Sequence, residues 1–103
     1  MRKLILSIGI LLSSAAMADD LSVAKELFTE TVKQEVAYEI KGINFTTARD
    51  TGITPRGGGT EYYLVAWTEG AVSFKCDGFV VVRNGVAEEI YPNSFPQLCV
   101  LLD

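Results

Sequence analysis

Three short turn signals, each ending in glycine, divide the back half of this chain: Glu69-Gly70, Asp77-Gly78 and Asn84-Gly85. Asp-Gly and Asn-Gly are the strongest local signals for a two-residue β-hairpin, because the tight turn needs residues that accept positive φ. The stretches between the turns are rich in β-branched and aromatic residues, as strands are. The spacing therefore predicts a four-stranded antiparallel meander, with strands at residues 62–68, 71–76, 79–83 and 86–91.

Turns at these positions would also set the register of the sheet, and the register decides which side chains share a face. The expected pairing puts Tyr63 opposite Cys76 and places Tyr63, Trp67, Phe74, Cys76 and Phe79 together on one strongly apolar face. The opposite face is expected to be mixed, with an apolar group that is a candidate binding surface because exposed apolar patches often mark interaction sites. This group consists of Tyr62, Leu64, Val80, Val82 and Tyr91. Partial cover of the same group by a neighbouring loop is the alternative.

An amphipathic helix is predicted over residues 21–41, where apolar side chains recur every three or four positions. Asp19 and Asp20 suit the start of a helix, and Gly42 suits the left-handed residue that follows one. Residues 36–41 also alternate between apolar and polar in the manner of a strand, so that alternative stays open. The helix is expected to cover the apolar face of the sheet.

Residues 44–61 show no sustained period and are expected to form a long connection. The connection contains Arg56 followed by Gly57, Gly58 and Gly59, a run whose backbone N–H groups are able to converge on an anion. Because the run lacks the spacing of a phosphate-binding P-loop, a nucleotide site is not expected. We expect a contact loop beside the sheet and include these four residues in the candidate binding surface.

Cys76 and Cys99 are the only cysteines, and they are predicted to form a structural disulfide. Closing a loop between residues 23 apart stabilises the fold by about 3.4 kcal/mol in chain-entropy theory. A redox pair is not expected without a C-x-x-C turn, and a zinc site is not expected in a chain without histidine. Two free thiols are the remaining alternative.

Residues 1–18 have the layout of a secretory signal peptide: a basic start, an apolar run, and small residues Ala16 and Ala18 before the expected cleavage point. The apolar run is shorter than the ~20 residues that a membrane-spanning helix needs. Residues 19–103 are then expected to form one small domain, periplasmic or secreted, with no membrane span.

The chemistry available to this domain is limited. The chain has no histidine, and its 13 acidic and 9 basic residues give a net charge of −4, so nucleic acid is not an expected partner. Ser22 and Lys25 match the S-x-x-K spacing of penicillin-recognising enzymes, but the accompanying motifs are missing. Ser73 and Lys75 are predicted to share a solvated strand face, where the lysine would keep its charge. No catalytic residue, cofactor or metal is therefore predicted.

These observations predict an α+β fold: an N-terminal amphipathic helix packed on a four-stranded antiparallel meander, with a disulfide tying the C-terminal segment to the sheet. The predicted function is that of a small exported, non-enzymatic binding protein of the bacterial envelope, such as an inhibitor, an immunity-type protein or an accessory factor. Its expected partner is another envelope protein or a second copy of itself. A self-associating structural component and a small envelope hydrolase are the alternatives.

Overall fold

The computed structural model describes residues 19–94 and 96–102. The predicted leader, with Ala16 and Ala18, lies outside these residues. Within these residues, one helix is followed by five strands: α1 Asp20–Glu35, β1 Ile40–Asp50, β2 Thr60–Gly70, β3 Phe74–Arg83, β4 Val86–Pro92 and β5 Cys99–Leu101. In the described part of the chain, no helix is long and apolar enough to cross a bilayer.

All strand pairs are antiparallel, and the sheet runs in the order β1-β2-β3-β4. The short strand β5 pairs with the first residues of β3, on the same side as β4. The helix contacts all four long strands. The predicted α+β fold is confirmed, including the helix on a four-stranded meander and the C-terminal segment that a disulfide ties to it.

The helix starts where the sequence predicts but ends earlier. Asp19 is the N-cap, and its carboxylate accepts a hydrogen bond of 2.7 Å from the backbone N–H of Ser22. The helix ends at Glu35, because Val36 adopts extended dihedrals (φ −86°, ψ 129°) and is buried against the core. The prediction of a helix through residue 41 is therefore wrong, and the strand alternative holds only from Ile40 onward.

The segment predicted as a long connection begins instead with a strand, β1, at the edge of the sheet. Its pairing with β2 contains two irregularities, between Ile40 and Gly42 and between Phe45 and Thr47. Each irregularity adds a residue to β1 and breaks the strict alternation of inward and outward side chains. The two-residue period on which a strand prediction depends is therefore absent from the sequence, and only residues 51–59 connect β1 to β2.

Asn84-Gly85 forms the predicted tight turn, with φ values of 53° and 76°. Asp77-Gly78 does not form a turn, because both residues lie inside β3. A Cβ at Gly78 would lie 2.7 Å from the carbonyl oxygen of Tyr91 and would overlap the side chain of Leu98. The glycine thus permits β4 and the C-terminal segment to approach β3 closely, and the two strands predicted at 71–76 and 79–83 are one.

The predicted turn at Glu69-Gly70 is also wrong, because both residues belong to β2 and residues 71–73 connect β2 to β3. Tyr63 pairs with Phe79, not with Cys76, so β2 is displaced along β3 by three residues. An odd displacement exchanges the two faces of a strand relative to its neighbour. Trp67 and Phe79 therefore share one face of the sheet, whereas Phe74 packs with the core on the other.

The core lies between α1 and the sheet. Ala24, Phe28 and Val32 of the helix are completely buried. They pack against side chains from β2 and β3, namely Leu64, Ala66, Cys76, Val80 and Val82. The prediction that Tyr62, Leu64, Val80 and Val82 form an exposed surface is wrong, because the corrected register turns them toward the helix, where Tyr62 is half-buried and the other three are buried.

The predicted disulfide joins Cys76 to Cys99, which are register partners in β3 and β5. Glu35, the last residue of the helix, also binds the start of β5. Its two carboxylate oxygens accept hydrogen bonds from the backbone N–H groups of Leu98 (3.2 Å) and Cys99 (2.8 Å). A disulfide in so small a domain is compatible with an oxidising compartment.

Candidate functional site

The face of the sheet that points away from α1 carries the candidate site, and we call it the open face. Strand alternation and the observed register define its residues. They include Thr47, Arg49, Glu61, Tyr63, Val65, Trp67, Lys75, Asp77, Phe79, Val81, Arg83, Glu89 and Tyr91. Of the strand residues proposed from the sequence as a binding surface, only Tyr91 lies here.

A row of four side chains crosses the open face at right angles to the strands, and we call it the ladder. It consists of Arg49, Tyr63, Phe79 and Tyr91, one from each long strand and each paired with the next. The ring centroids of Tyr63 and Phe79 are 5.2 Å apart, and those of Phe79 and Tyr91 are 5.9 Å apart. The Arg49 guanidinium lies 5.4 Å from the Tyr63 centroid, within range of a cation–π interaction.

The centre of the open face is apolar and its margin is polar. Val65 and Val81 are buried although their side chains point away from α1. Trp67 remains 42% exposed and Tyr91 38% exposed, so two aromatic side chains are accessible to another molecule. An apolar centre with a charged rim is the usual anatomy of a protein–protein interface.

Hydrogen bonds hold the Tyr91 end of the ladder. The Tyr91 hydroxyl donates to Oε2 of Glu61 at 2.6 Å, and the Thr51 hydroxyl donates to the other carboxylate oxygen at 3.1 Å. The hydrogen bond to Glu61, together with burial, raises the pKa of Tyr91 to about 12. Burial raises the pKa of Tyr63 as well, with a further contribution from the neighbouring Asp77 carboxylate. Both rings are therefore neutral near physiological pH.

The Tyr91–Glu61 contact predicts a specific pH dependence. Because the folded-state pKa exceeds the ordinary value of 10.0, the contact contributes its full stability below about pH 10 and loses it as the pH rises toward 12. Replacing Glu61 by Gln should lower the Tyr91 pKa toward 10.0, as measured by carbon NMR of the tyrosine rings. Glu88→Gln is the control and should leave this pKa in place. An unchanged Tyr91 pKa in the Glu61 variant would contradict the contact.

The glycine-rich segment, residues 56–59, lies where β2 begins and β3 ends, and Arg83 holds it. Arg83 donates to the backbone carbonyl oxygens of Arg56 (2.5 Å) and Gly58 (3.0 Å), and its guanidinium forms salt bridges with Glu88 (3.1 Å) and Glu89 (2.6 Å). Two carbonyl oxygens of the segment are thus bound by the Arg83 guanidinium, a side chain of the same protein. Its proposed role as a contact surface for a partner stays a prediction.

Position 59 in this segment requires glycine, because its backbone has a positive φ and there is no room for a Cβ. Its φ is 89°, and a Cβ there would lie 2.5 Å from the carbonyl oxygen of Val82. Gly57 and Gly58 also have positive φ, at 90° and 85°. The three glycines therefore allow the segment to turn tightly against β3.

The serine and lysine residues with catalytic spacing do not form a site. Ser22 is exposed at the start of α1, and the Lys25 ammonium lies 5.4 Å from the centroid of the Phe45 ring. Ser73 precedes β3, so it does not share a strand face with Lys75 as predicted. Within residues 19–94 and 96–102, no three side chains of the metal-ligating types converge.

Comparison with protein-family models, curated proteins and solved structures finds no match for this chain. Function is therefore inferred from the open face itself. The alternate positions Tyr63, Val65 and Trp67 were the only sequence signal for this face. That signal indicates a shared face without showing which side the helix covers, and the register was needed to decide it.

Proposed function

We propose that this protein is a small exported, non-enzymatic binding protein and that the open face contacts its partner, another protein. The ladder is the observation that supports this proposal. Tyrosine, tryptophan and arginine are the residue types that most often dominate the binding energy of protein interfaces. The open face combines all three in Tyr63, Tyr91, Trp67 and Arg49.

The ladder is also well ordered before any partner arrives. Its members stand on hydrogen-bonded strands, their rings contact one another, and Glu61 holds the Tyr91 hydroxyl. A surface that is already ordered loses little side-chain entropy on binding, which favours affinity. We therefore expect the open face to bind its partner without rearranging its own side chains.

The chemistry of the face favours a protein over nucleic acid. The whole chain carries a net charge of −4, and the open face includes Glu61, Asp77 and Glu89. Acidic surfaces repel the phosphate backbone, whose neutralisation supplies most of the affinity of nucleic-acid binders. Stacked aromatic side chains alone would not offset that repulsion.

The place of action is proposed from two independent features. Residues 1–18 have the pattern of an export signal, and the Cys76–Cys99 disulfide is of a kind that persists in oxidising compartments. The partner is therefore sought among proteins of the bacterial envelope or outside the cell.

The proposal predicts that a double variant, Trp67→Ala with Tyr91→Ala, recovers at least about tenfold less partner, because each truncated side chain of an interface hot spot weakens binding by about 2 kcal/mol or more. Quantitative affinity capture from the native envelope measures this loss. Both side chains are more than one-third exposed, so the core stays intact.

The matched control is Glu30→Ala with Lys33→Ala, two exposed residues of α1 on the opposite side of the molecule. This variant should recover as much partner as the unmodified protein, and both variants should melt cooperatively. Equal recovery by the open-face variant would overturn the proposal. A dimer in size-exclusion chromatography that only the open-face variant abolishes would identify the partner as a second copy of the chain.

A further inference from the structure

A cleft of about 260 Å³ opens at the Arg49 end of the ladder. It is lined by Arg49, Thr51, Ile53, Tyr63, Phe79 and Asn93. The stacked rings of Tyr63 and Phe79 supply an aromatic side, and Ile53, which is 64% exposed, supplies an aliphatic one. The cleft therefore offers apolar surface on two sides beside a permanent positive charge.

Within the described part of the protein, the charge of Arg49 has no carboxylate partner. The Arg83 guanidinium, by contrast, forms salt bridges with Glu88 and Glu89 and donates hydrogen bonds to two backbone carbonyl oxygens. Arg49 forms no salt bridge with any described residue, and its guanidinium rests against the Tyr63 ring. One of the two arginines thus stabilises the fold, while the other is available to a ligand.

The carboxylates closest in sequence to the cleft are already engaged. Asp50 accepts a hydrogen bond of 2.7 Å from the backbone N–H of Gly52. Glu61 accepts hydrogen bonds from both Tyr91 and Thr51. Both acidic groups are thus held by the protein's own hydrogen-bond donors. Asp77, whose carboxylate lies beside Tyr63, forms no salt bridge with Arg49 either, so Arg49 has no carboxylate partner among the described residues.

We propose that this cleft binds the C-terminal residue of a polypeptide, with the terminal carboxylate on Arg49 and an apolar side chain against Tyr63, Phe79 and Ile53. Arginine is suited to this role because its planar fork donates two parallel hydrogen bonds to a carboxylate. The cleft is smaller than the roughly 300–1,000 Å³ of drug-sized ligand pockets. Its volume suits a single amino-acid side chain together with the terminal carboxylate of the same residue.

A polypeptide end fits better than a free organic acid because the cleft is continuous with the open face. Tyr63 and Phe79 line the cleft and are also members of the ladder. The residues before a bound C-terminus would therefore lie over the ladder, and each would add contact area. This inference rests on the proposed function, since it names the part of the partner that the open face receives.

The test uses the disulfide-bonded protein and three probes in NMR titrations: N-acetyl-Gly-Gly-Phe with a free carboxylate, the same peptide with a C-terminal amide, and phenylpropionate. We expect the acid to bind at least about tenfold more tightly than the amide, because a charge-assisted bidentate pair is lost. We also expect it to bind more tightly than phenylpropionate, which lacks the preceding residues.

Arg49→Gln should abolish the preference for the acid over the amide. Lys33→Gln is the matched control, because it removes one positive charge from an exposed residue of α1, away from the open face, and it should leave the preference intact. Equal binding of the peptide acid and the peptide amide would overturn the carboxylate site. Equal binding of phenylpropionate and the peptide acid would overturn the proposal that the ligand is a polypeptide. If either occurs while the Trp67/Tyr91 variant still loses its partner, the cleft inference fails and the proposed function stands.

Discussion

Replacing Phe28 by alanine should lower the free energy of unfolding by about 3–5 kcal/mol, the range for truncating a buried phenylalanine. Phe28 lies in the middle of α1 with no solvent exposure, and its ring centroid is 5.6 Å from that of Phe45 in β1. Small domains sit near the low end of the usual total of about 5–15 kcal/mol. The variant should therefore be close to unfolding at room temperature.

Urea denaturation followed by circular dichroism measures the effect. Glu30→Ala, an exposed residue on the same helix, is the control and should change stability by no more than about 0.5 kcal/mol. Phe28→Leu should lie between the two, because it retains part of the buried volume. A loss below about 1 kcal/mol for Phe28→Ala would show that the helix does not seal the core as described.

Removing the disulfide by Cys76→Ala with Cys99→Ala should lower the free energy of unfolding by about 2–4 kcal/mol. The bond closes a loop between residues 23 apart and joins β5, only three residues long, to the centre of the sheet. Without the bond, the unfolded chain gains the freedom that the closed loop denies it.

The size of this effect is measured by thermal and urea unfolding with and without a reductant. The reductant should reduce the stability of the unmodified protein to nearly that of the double variant, and it should not affect the variant. Equal stability of both proteins under oxidising conditions would contradict a stabilising role for the bond.

Local features of the sequence predicted the parts of the fold that depend on local chemistry. The helix start at Asp19 and Asp20 and the tight turn at Asn84-Gly85 are both confirmed, because each depends on a few neighbouring residues. The Cys76–Cys99 disulfide was predictable because two cysteines allow only one intramolecular pairing. The layer arrangement followed, since an apolar sheet face needs a cover.

The remaining parts depend on contacts between distant residues. Asp77-Gly78 resembles a turn in sequence, yet Gly78 is needed inside β3 because Tyr91 and Leu98 approach it closely. The irregular pairing of β1 likewise depends on β2, and it removes the alternation by which a strand is recognised. Neither requirement is visible in the residues that flank it along the chain.

The candidate site was misplaced for the same reason. Two predicted turns are wrong: Glu69-Gly70 ends β2, which displaces β2 along β3 by three residues, and Asp77-Gly78 lies inside β3. Together these errors exchange the buried and open faces of β2 and of residues 79–83. Leu64 and Val80 were assigned to the surface, while Tyr63 and Phe79 were assigned to the core. The apolar residues of β2, β3 and β4 are visible in the sequence, but the side of the sheet that faces the helix depends on the register.

The strict alternation of the two faces limits how the lengths of β2 and β3 can change. In each strand, every residue of the open face is flanked by residues that face α1. Inserting or deleting one residue in either strand would invert the side chains beyond that point and would damage core and ladder together. Substitutions on the open face leave the helix contacts in place. Related proteins with new binding preferences would then diverge by substitution within these strands, and their differences in length would collect in the connections at residues 51–59, 71–73 and 84–85.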